Sequence, residues 1–211
     1  MSISIIVPVY NEEKYLANTL ERIKAQKFKD YELIVVCNGC TDKSFNIAKK
    51  YADKTFSLKE GNVSKAKNFG VENAKYDKLI FLDADVLIGA ELLDAVDNLL
   101  DEGAFFGTAK GKGKGIRNNL YLNFKNFINR FRPWSHGFVF CDKKSFFEIN
   151  GFDESLTRGE LRDFFSRAKG KYKRINAYVV PDDRRIRNWG ISRLIYYWLF
   201  EKNKEEYLSV R

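Results

Sequence analysis

Cysteine, histidine and proline are scarce in this sequence: three, one and three among 211 residues. Three cysteines cannot build a disulfide framework and fit a reducing compartment. Cys37 and Cys40 have the C-x-x-C spacing of zinc and redox sites, and only Cys141 and His136 remain to complete four zinc ligands. The competing reading is two small residues around a turn. Also missing is any apolar run of the roughly 20 residues that span a bilayer. The first ten residues are apolar but carry no basic leader and no small-residue cleavage site, so they do not form a secretory signal. These absences lead to the expectation of a cytoplasmic protein.

What is present is the composition of one folded domain. Apolar residues make up 45% of the chain, and its length suffices for a sizeable core. The net charge of +9 is uneven: from Arg158 to Arg211 there are 14 Lys+Arg against 7 Asp+Glu. Such a patch suits phosphates, anionic lipid or nucleic acid, or is a solvated basic surface. No nucleic-acid motif accompanies it, and nucleic acid is not expected as a partner.

Strand-like and helix-like segments alternate through the first half. Residues 2–9, 32–37, 55–58 and 78–82 are apolar or β-branched runs. Between and after them, residues 12–25, 42–51, 64–74 and 90–100 carry apolar residues at helical spacing, some entered from a capping residue such as Thr41 or Asp42. This alternation predicts an α/β fold, with a mostly parallel sheet flanked by helices. Ligands of such sheets bind beyond the carboxyl ends of the strands. Tyr10, Asn11, Asn38, Gly39, Asp83 and Asp85 should therefore share one edge.

Further along, residues 104–109 read as a strand and residues 110–117 as a basic, glycine-rich loop. That loop is either a phosphate wrap or solvated chain. Residues 118–131 read as a helix carrying Leu120, Phe124, Phe127 and Phe131, whose rings serve the core or line an acceptor groove. A strand at 137–141, a turn at Asn150-Gly151, a helix at 158–168 and a strand at 172–180 follow. Residues 189–208 mix Trp189, Leu194, Trp198 and Phe200 with Arg193, Lys202 and Lys204. This reads as a C-terminal amphipathic helix, suited to an anionic membrane interface or to packing on protein.

The strongest chemical signal is Asp83-Ala-Asp85 at the end of an apolar strand. Residues i and i+2 share a side of a strand, and Mg²⁺ or Mn²⁺ binds diphosphates jointly with a few such carboxylates. Alone, Asp-x-Asp also occurs as capping or solvent-facing residues. Four segments nevertheless fall in order: Ile5-Ile-Val-Pro-Val-Tyr-Asn-Glu12, Val36-Cys-Asn-Gly-Cys-Thr-Asp42, Gly61-Asn-Val-Ser-Lys-Ala-Lys-Asn-Phe-Gly70 and Phe81-Leu-Asp-Ala-Asp-Val86. Together they resemble the donor-binding half of family 2 glycosyltransferases of GT-A fold. Asn150-Gly-Phe-Asp-Glu154 and Gly159-Glu-Leu-Arg-Asp-Phe-Phe-Ser-Arg167 resemble the acceptor half.

The resemblance implies a domain over 1–188, with a donor half to about residue 109 and an acceptor half from about 117, followed by the helix of 189–211. It implies inverting transfer from a nucleotide sugar, UDP- or GDP-linked, to a saccharide or lipid-linked acceptor. Pro8, Tyr10, Glu12, Asn38, Asp42, Lys67 and Asp83 would bind the donor. Asp85, with Asp83 and Asp182 or Asp183, would hold Mn²⁺ or Mg²⁺, and His136 and Gly137 would meet the acceptor. The basic tail suggests a protein peripheral on the inner face of the membrane.

One departure from the pattern stands out. Relatives carry Glu-Asp at the base position, whereas this chain has Glu160-Leu161. Leucine accepts no proton, so Glu160, or Asp163 on the same helical face, would have to serve. Each has a structural alternative: Glu160 as a first-turn carboxylate, Asp163 as a partner of Arg167. Leu161 also motivates a second reading, a degenerate, non-catalytic binder of nucleotide sugar or anionic lipid.

Overall fold

The computed structural model describes residues 2–129, 135–156, 159–168 and 172–200. In chain order the elements are β1 (Ile3–Val9), α1 (Leu16–Lys24), β2 (Tyr31–Asn38), α2 (Ser44–Tyr51), β3 (Lys54–Leu58), α3 (Val63–Glu72), β4 (Lys78–Leu82) and β5 (Val86–Ile88). Then come α4 (Leu92–Asp101), β6 (Phe106–Gly111), α5 (Gly115–Ile128), β7 (Phe138–Asp142), α6 (Lys143–Glu148), α7 (Glu160–Arg167), β8 (Tyr172–Pro181) and α8 (Arg184–Phe200).

The strands form one sheet in the order β3-β2-β1-β4-β7-β6-β8-β5. The pairs β3-β2, β2-β1, β1-β4 and β6-β8 are parallel, while β4-β7, β7-β6 and β8-β5 are antiparallel. The sheet is therefore mixed beyond β4. It also curls. Only residues 83–85 separate β4 from β5, a link of at most about 14 Å. Four strand spacings in a flat sheet would need about 19 Å.

Every residue of β1 and β4 is buried, as expected for strands covered on both faces. On one face Ile3, Ile5, Val7 and Val9 pack with Leu16, Leu20 and Ile23 of α1 and Leu92, Leu93 and Val96 of α4. On the other, Ile6, Ile34 and Val36 pack with Ala66 and Val71 of α3 and with the rings of Phe146, Phe152 and Phe164. Phe152 and Phe164 stack with centroids 4.4 Å apart. Asn62 caps α3 by accepting from Lys65 N.

Several sequence expectations shift. The three-residue β5 and the six-residue α6 are too short to show a period, and the sequence alone did not reveal them. The glycine-rich stretch divides: Lys110 and Gly111 finish β6, and α5 starts at Gly115 rather than at residue 118. Core packing of the α5 rings is overturned, since Leu120, Phe124 and Phe127 are exposed while Asn118, Leu122 and Asn126 are buried. α8 begins at Arg184, ahead of the expected boundary at 188, and is broken at Gly190, whose φ of 72° is not helical. Phe131, Arg158, residues 201–211 and the side chains of Trp198 and Phe200 lie outside the described residues. Among the described residues no helix is long and apolar enough to cross a membrane.

Candidate active site

Parallel pairing brings the carboxyl ends of β1, β2 and β4 together, and with them the turns that follow. The first two turns are laced to each other. Asn11, in the left-handed region at φ 52°, accepts from Thr41 N at 2.8 Å. Glu12 N donates to Ser44 Oγ at 2.9 Å, and Glu13 N to Asp42 Oδ2 at 3.0 Å. Asp42 also accepts from Ser44 N at 2.9 Å. Partial burial opposes ionisation of Asp42, but hydrogen bonds from Ser44 and the Glu13 backbone outweigh it and hold the carboxyl below its ordinary range. Asp42 thus ties the two turns together and does not line the cleft, the reading already open to it as a capping residue.

The third turn is held at every backbone step. Asp83 N donates to Gly137 O at 2.8 Å, Thr19 Oγ1 donates to Ala84 O at 2.8 Å, and Asp182 N donates to Asp85 O at 3.1 Å. Between these turns lies a cleft of about 430 Å³ lined by Pro8, Tyr10, Glu12, Asn38, Val63, Asp83, Ala84, Asp85 and Arg184. Asn38 is buried and donates from Nδ2 to Val9 O at 2.7 Å. Tyr10 lies against Gly61, where a Cβ would sit 3.2 Å from its ring. A smaller adjoining recess, about 260 Å³, is lined by Tyr15, Thr19, Lys114, Asp182 and again Asp85.

Arg184, at the start of α8, is the residue the sequence did not single out. Its guanidinium donates to both Glu12 oxygens, at 2.9 and 2.6 Å, and to Asp85 Oδ2 at 2.7 Å. It sits 4.9 Å from the centroid of the Tyr15 ring. Burial works against its charge, but the hydrogen bond to Glu12 and the carboxylates of Asp85, Glu12 and Asp182 outweigh burial and raise its pKa. The sequence has arginine at 184, 185 and 187. Which of them reaches back to residue 12 was not visible there.

Other expected residues fall elsewhere. Lys67 is 1% exposed and does not line the cleft: its Nζ donates to Glu160 Oε1 at 3.0 Å and lies 4.9 Å from the Phe152 centroid. Its neighbour Asn68 grips the backbone of Phe152 in both directions, at 2.8 and 2.9 Å. α3 therefore holds the turn of the acceptor half. Asp163 accepts from Arg167 Nε at 2.8 Å and Nη2 at 2.6 Å, and Arg167 also donates to the carbonyls of Ile149 and Gly151. Asp183 accepts from Asn118 and pairs with Arg187 at 3.2 Å, whereas Asp182, 3.6 Å from the same guanidinium, lines the recess with Asp85.

His136 is buried, 5% exposed, with no hydrogen-bond partner described at Nε2. Burial, then the charges of Lys125 and Arg174, push its pKa well down and disfavour the imidazolium. His136 packs on Gly111, where a Cβ would lie 2.8 Å from Nδ1. Gly137 has a φ of 78°, and a Cβ there would sit 2.8 Å from Asp83 Oδ2, so only glycine lets this backbone abut Asp83. Cys37, Cys40 and Cys141 are free, and no cluster of three or more His, Cys, Asp or Glu is close enough to hold an ion among the described residues. The zinc reading of Cys37 and Cys40 is therefore dropped.

Residues 4–155 match the family model described as glycosyl transferase family 2. The glycosyltransferase GlyG of Streptococcus pneumoniae is 22% identical over 88% of this chain and 56% of its own length. An uncharacterized glycosyltransferase of Rickettsia typhi is 34% identical over 47% of this chain and 32% of its own. The chain thus spans about half or less of these relatives. Staphylococcus aureus TarS 1–349, solved in complex with UDP-GlcNAc, superposes with a TM-score of 0.70 at 22% identity, covering 99% of this chain and 69% of that one. The mannosyltransferase PcManGT of Pyrobaculum calidifontis, solved with GDP-Man and Mn²⁺, gives a TM-score of 0.71 at 18% identity, covering 97% and 66%. At these identities the solved structures establish a shared fold.

Proposed function

Given that this chain belongs to glycosyl transferase family 2, we propose that it transfers a sugar from a UDP- or GDP-sugar to a hydroxyl of a saccharide or lipid-linked acceptor, with inversion. The observation that carries this reading is the convergence of Pro8, Tyr10, Glu12, Asn38, Asp83 and Asp85 on one cleft at the ends of parallel strands. The Tyr10 ring and buried Asn38 suit a nucleobase, and Asp83 suits the ribose. The acceptor oxygen attacks the anomeric carbon while the bond to the diphosphate breaks. The acceptor proton passes to a carboxylate, and the electron pair leaves with the nucleoside diphosphate. Of the two carboxylates, Glu160 is favoured by its place in the Glu160-Leu161 pair at the base position; Lys67 holds it as Arg167 holds Asp163, so the ion pair must loosen for it to take the proton.

Asp85, with Asp83 beside it, fits a divalent ion of the Mg²⁺ or Mn²⁺ kind. The donors are hard oxygens and few, as expected where a diphosphate supplies the rest. Such an ion would neutralise charge on the leaving diphosphate. Arg184 occupies Asp85 Oδ2, so an ion held through that oxygen would displace the guanidinium, which would then face the phosphate.

The test is thermal unfolding with UDP, GDP, dTDP or CDP, each with and without Mn²⁺. A hundredfold excess over Kd stabilises by about 2.7 kcal/mol. Protection by one diphosphate with metal, lost in Asp85→Asn, supports the donor site, and absence of protection by all four overturns it. A non-catalytic binder is the second reading, motivated by Leu161 and by the commitment of Glu160 to Lys67. Protection without any transfer or donor hydrolysis would favour it.

A further inference from the structure

α5 is built inside out. The residues it buries are Asn118, Leu122 and Asn126, and both asparagines are hydrogen-bonded. Asn126 accepts from Gly111 N at 2.9 Å and donates to Gly111 O at 2.7 Å, and Asn118 donates to Asp183 at 2.8 Å. Four of its apolar side chains are exposed instead: Ile116 is 83% exposed, Leu120 67%, Phe124 47% and Phe127 56%. With about 3.6 residues per turn, these four fall within about 80° of arc, roughly opposite the buried face. A contiguous exposed apolar stripe of this kind marks an interaction surface.

Charge identifies the partner. Residues 103–141 contain no Asp or Glu, while Lys110, Lys112, Lys114, Arg117, Lys125, Arg130 and Arg132 fall within them. Lys112, Lys114 and Arg117 are exposed at the start of the helix. A stripe of Ile, Leu and Phe flanked by the cations of its own segment, with the neighbouring Asp183 carboxylate held by Asn118 on the buried face, is the chemistry of a helix lying in the headgroup layer of an anionic bilayer. A protein partner would favour mixed charge at the rim. We propose that α5 is a membrane-docking helix for anionic lipid, lying in the interface plane with Ile116, Leu120, Phe124 and Phe127 inserted. Its N-cap residue Lys114 lines the recess that contains Asp85, so docking sets the bilayer beside the candidate active site. The proposal stands independently of sugar transfer.

The test is sedimentation of the full chain with vesicles of 3:1 phosphatidylcholine:phosphatidylglycerol, and with phosphatidylcholine alone. Wild type should bind the anionic vesicles preferentially and release in high salt. Leu120→Ser/Phe124→Ser should lower partitioning about tenfold or more. Lys112→Glu/Arg117→Glu should abolish the anionic preference. Both pairs are exposed, so melting curves near wild type are expected, and the charge pair tests the proposal if the apolar pair misfolds. Binding unchanged in both variants would overturn the assignment and place any membrane contact elsewhere. A wild-type dimer that Leu120→Ser/Phe124→Ser makes monomeric, without vesicle binding by either, would also overturn it in favour of an interface between copies.

Discussion

At the scale of single residues, the site turns on which carboxylates are occupied. Asp163 bridges to Arg167, which in turn holds the carbonyls of Ile149 and Gly151. Asp163→Asn should therefore lower stability by about 1–2 kcal/mol and leave kcat within a few fold. Glu160→Gln should cut kcat by about a hundredfold or more with little change in donor affinity. Steady-state kinetics beside melting curves separate the two. A second residue-scale prediction concerns the thiols. A hydrogen bond from Cys37 is the main cause that holds the Cys40 thiol down to about 7; burial opposes it, and backbone bonds near Asn11 and Asn38 assist. Cys37 and Cys141 are pushed up. Iodoacetamide should then alkylate Cys40 first, at a rate that rises through pH 7, as read by peptide mass spectrometry.

At the scale of elements, Glu32 ties the amino ends of three strands. It accepts from Ser4 of β1 at 2.6 Å and pairs with Lys54 of β3 at 2.9 Å, and it also takes Lys75 N from the chain entering β4. Burial alone would raise its pKa, but hydrogen bonds from Ser4, Lys54 and Lys75 outweigh burial and hold the carboxyl below its ordinary range. A depressed carboxyl stabilises fully above its unfolded pKa and loses that contribution as pH falls through the folded value. Glu32→Gln should cost about 1–2 kcal/mol at pH 7, a gap that closes below about pH 4; urea titrations at both pH values read it. Along β6, Gly107 leaves no room, since a Cβ would lie 2.1 Å from Phe140 Cζ and 2.3 Å from Lys173 O. Gly107→Ala should lose about 3 kcal/mol, measured by the same titration.

At the scale of the whole molecule, Arg184 closes the chain on itself, joining α8 to a turn 172 residues earlier. Removing it leaves Glu12 and Asp85 without their shared cation. Arg184→Ala should destabilise by about 2–3 kcal/mol, because both carboxylates are largely buried. Mn²⁺ should then raise its melting temperature more than that of wild type, since Arg184 no longer competes for Asp85. A smaller rise than in wild type would mean that Arg184 and the ion do not compete for Asp85.

The strand-helix alternation, the apolar strands and the order of Pro8, Tyr10, Asn38, Asp83 and Asp85 were legible in the chain itself. They rest on local period and on side-chain chemistry, both of which are written in consecutive residues. The outward face of α5, the pairing of Lys67 with Glu160, the burial of His136 and the reach of Arg184 were not. Each depends on a partner from a distant segment. The helical period of α5 shows that its apolar residues share a face but not which way that face points; two asparagines bound to Gly111 and Asp183 turned it outward. Likewise, a lysine beside a donor motif reads as a phosphate ligand until packing sets a carboxylate 3.0 Å away. Sequence determined which groups line the ends of the parallel strands, and tertiary packing decided which of their charges are already paired, because an ion pair is set by distance in space.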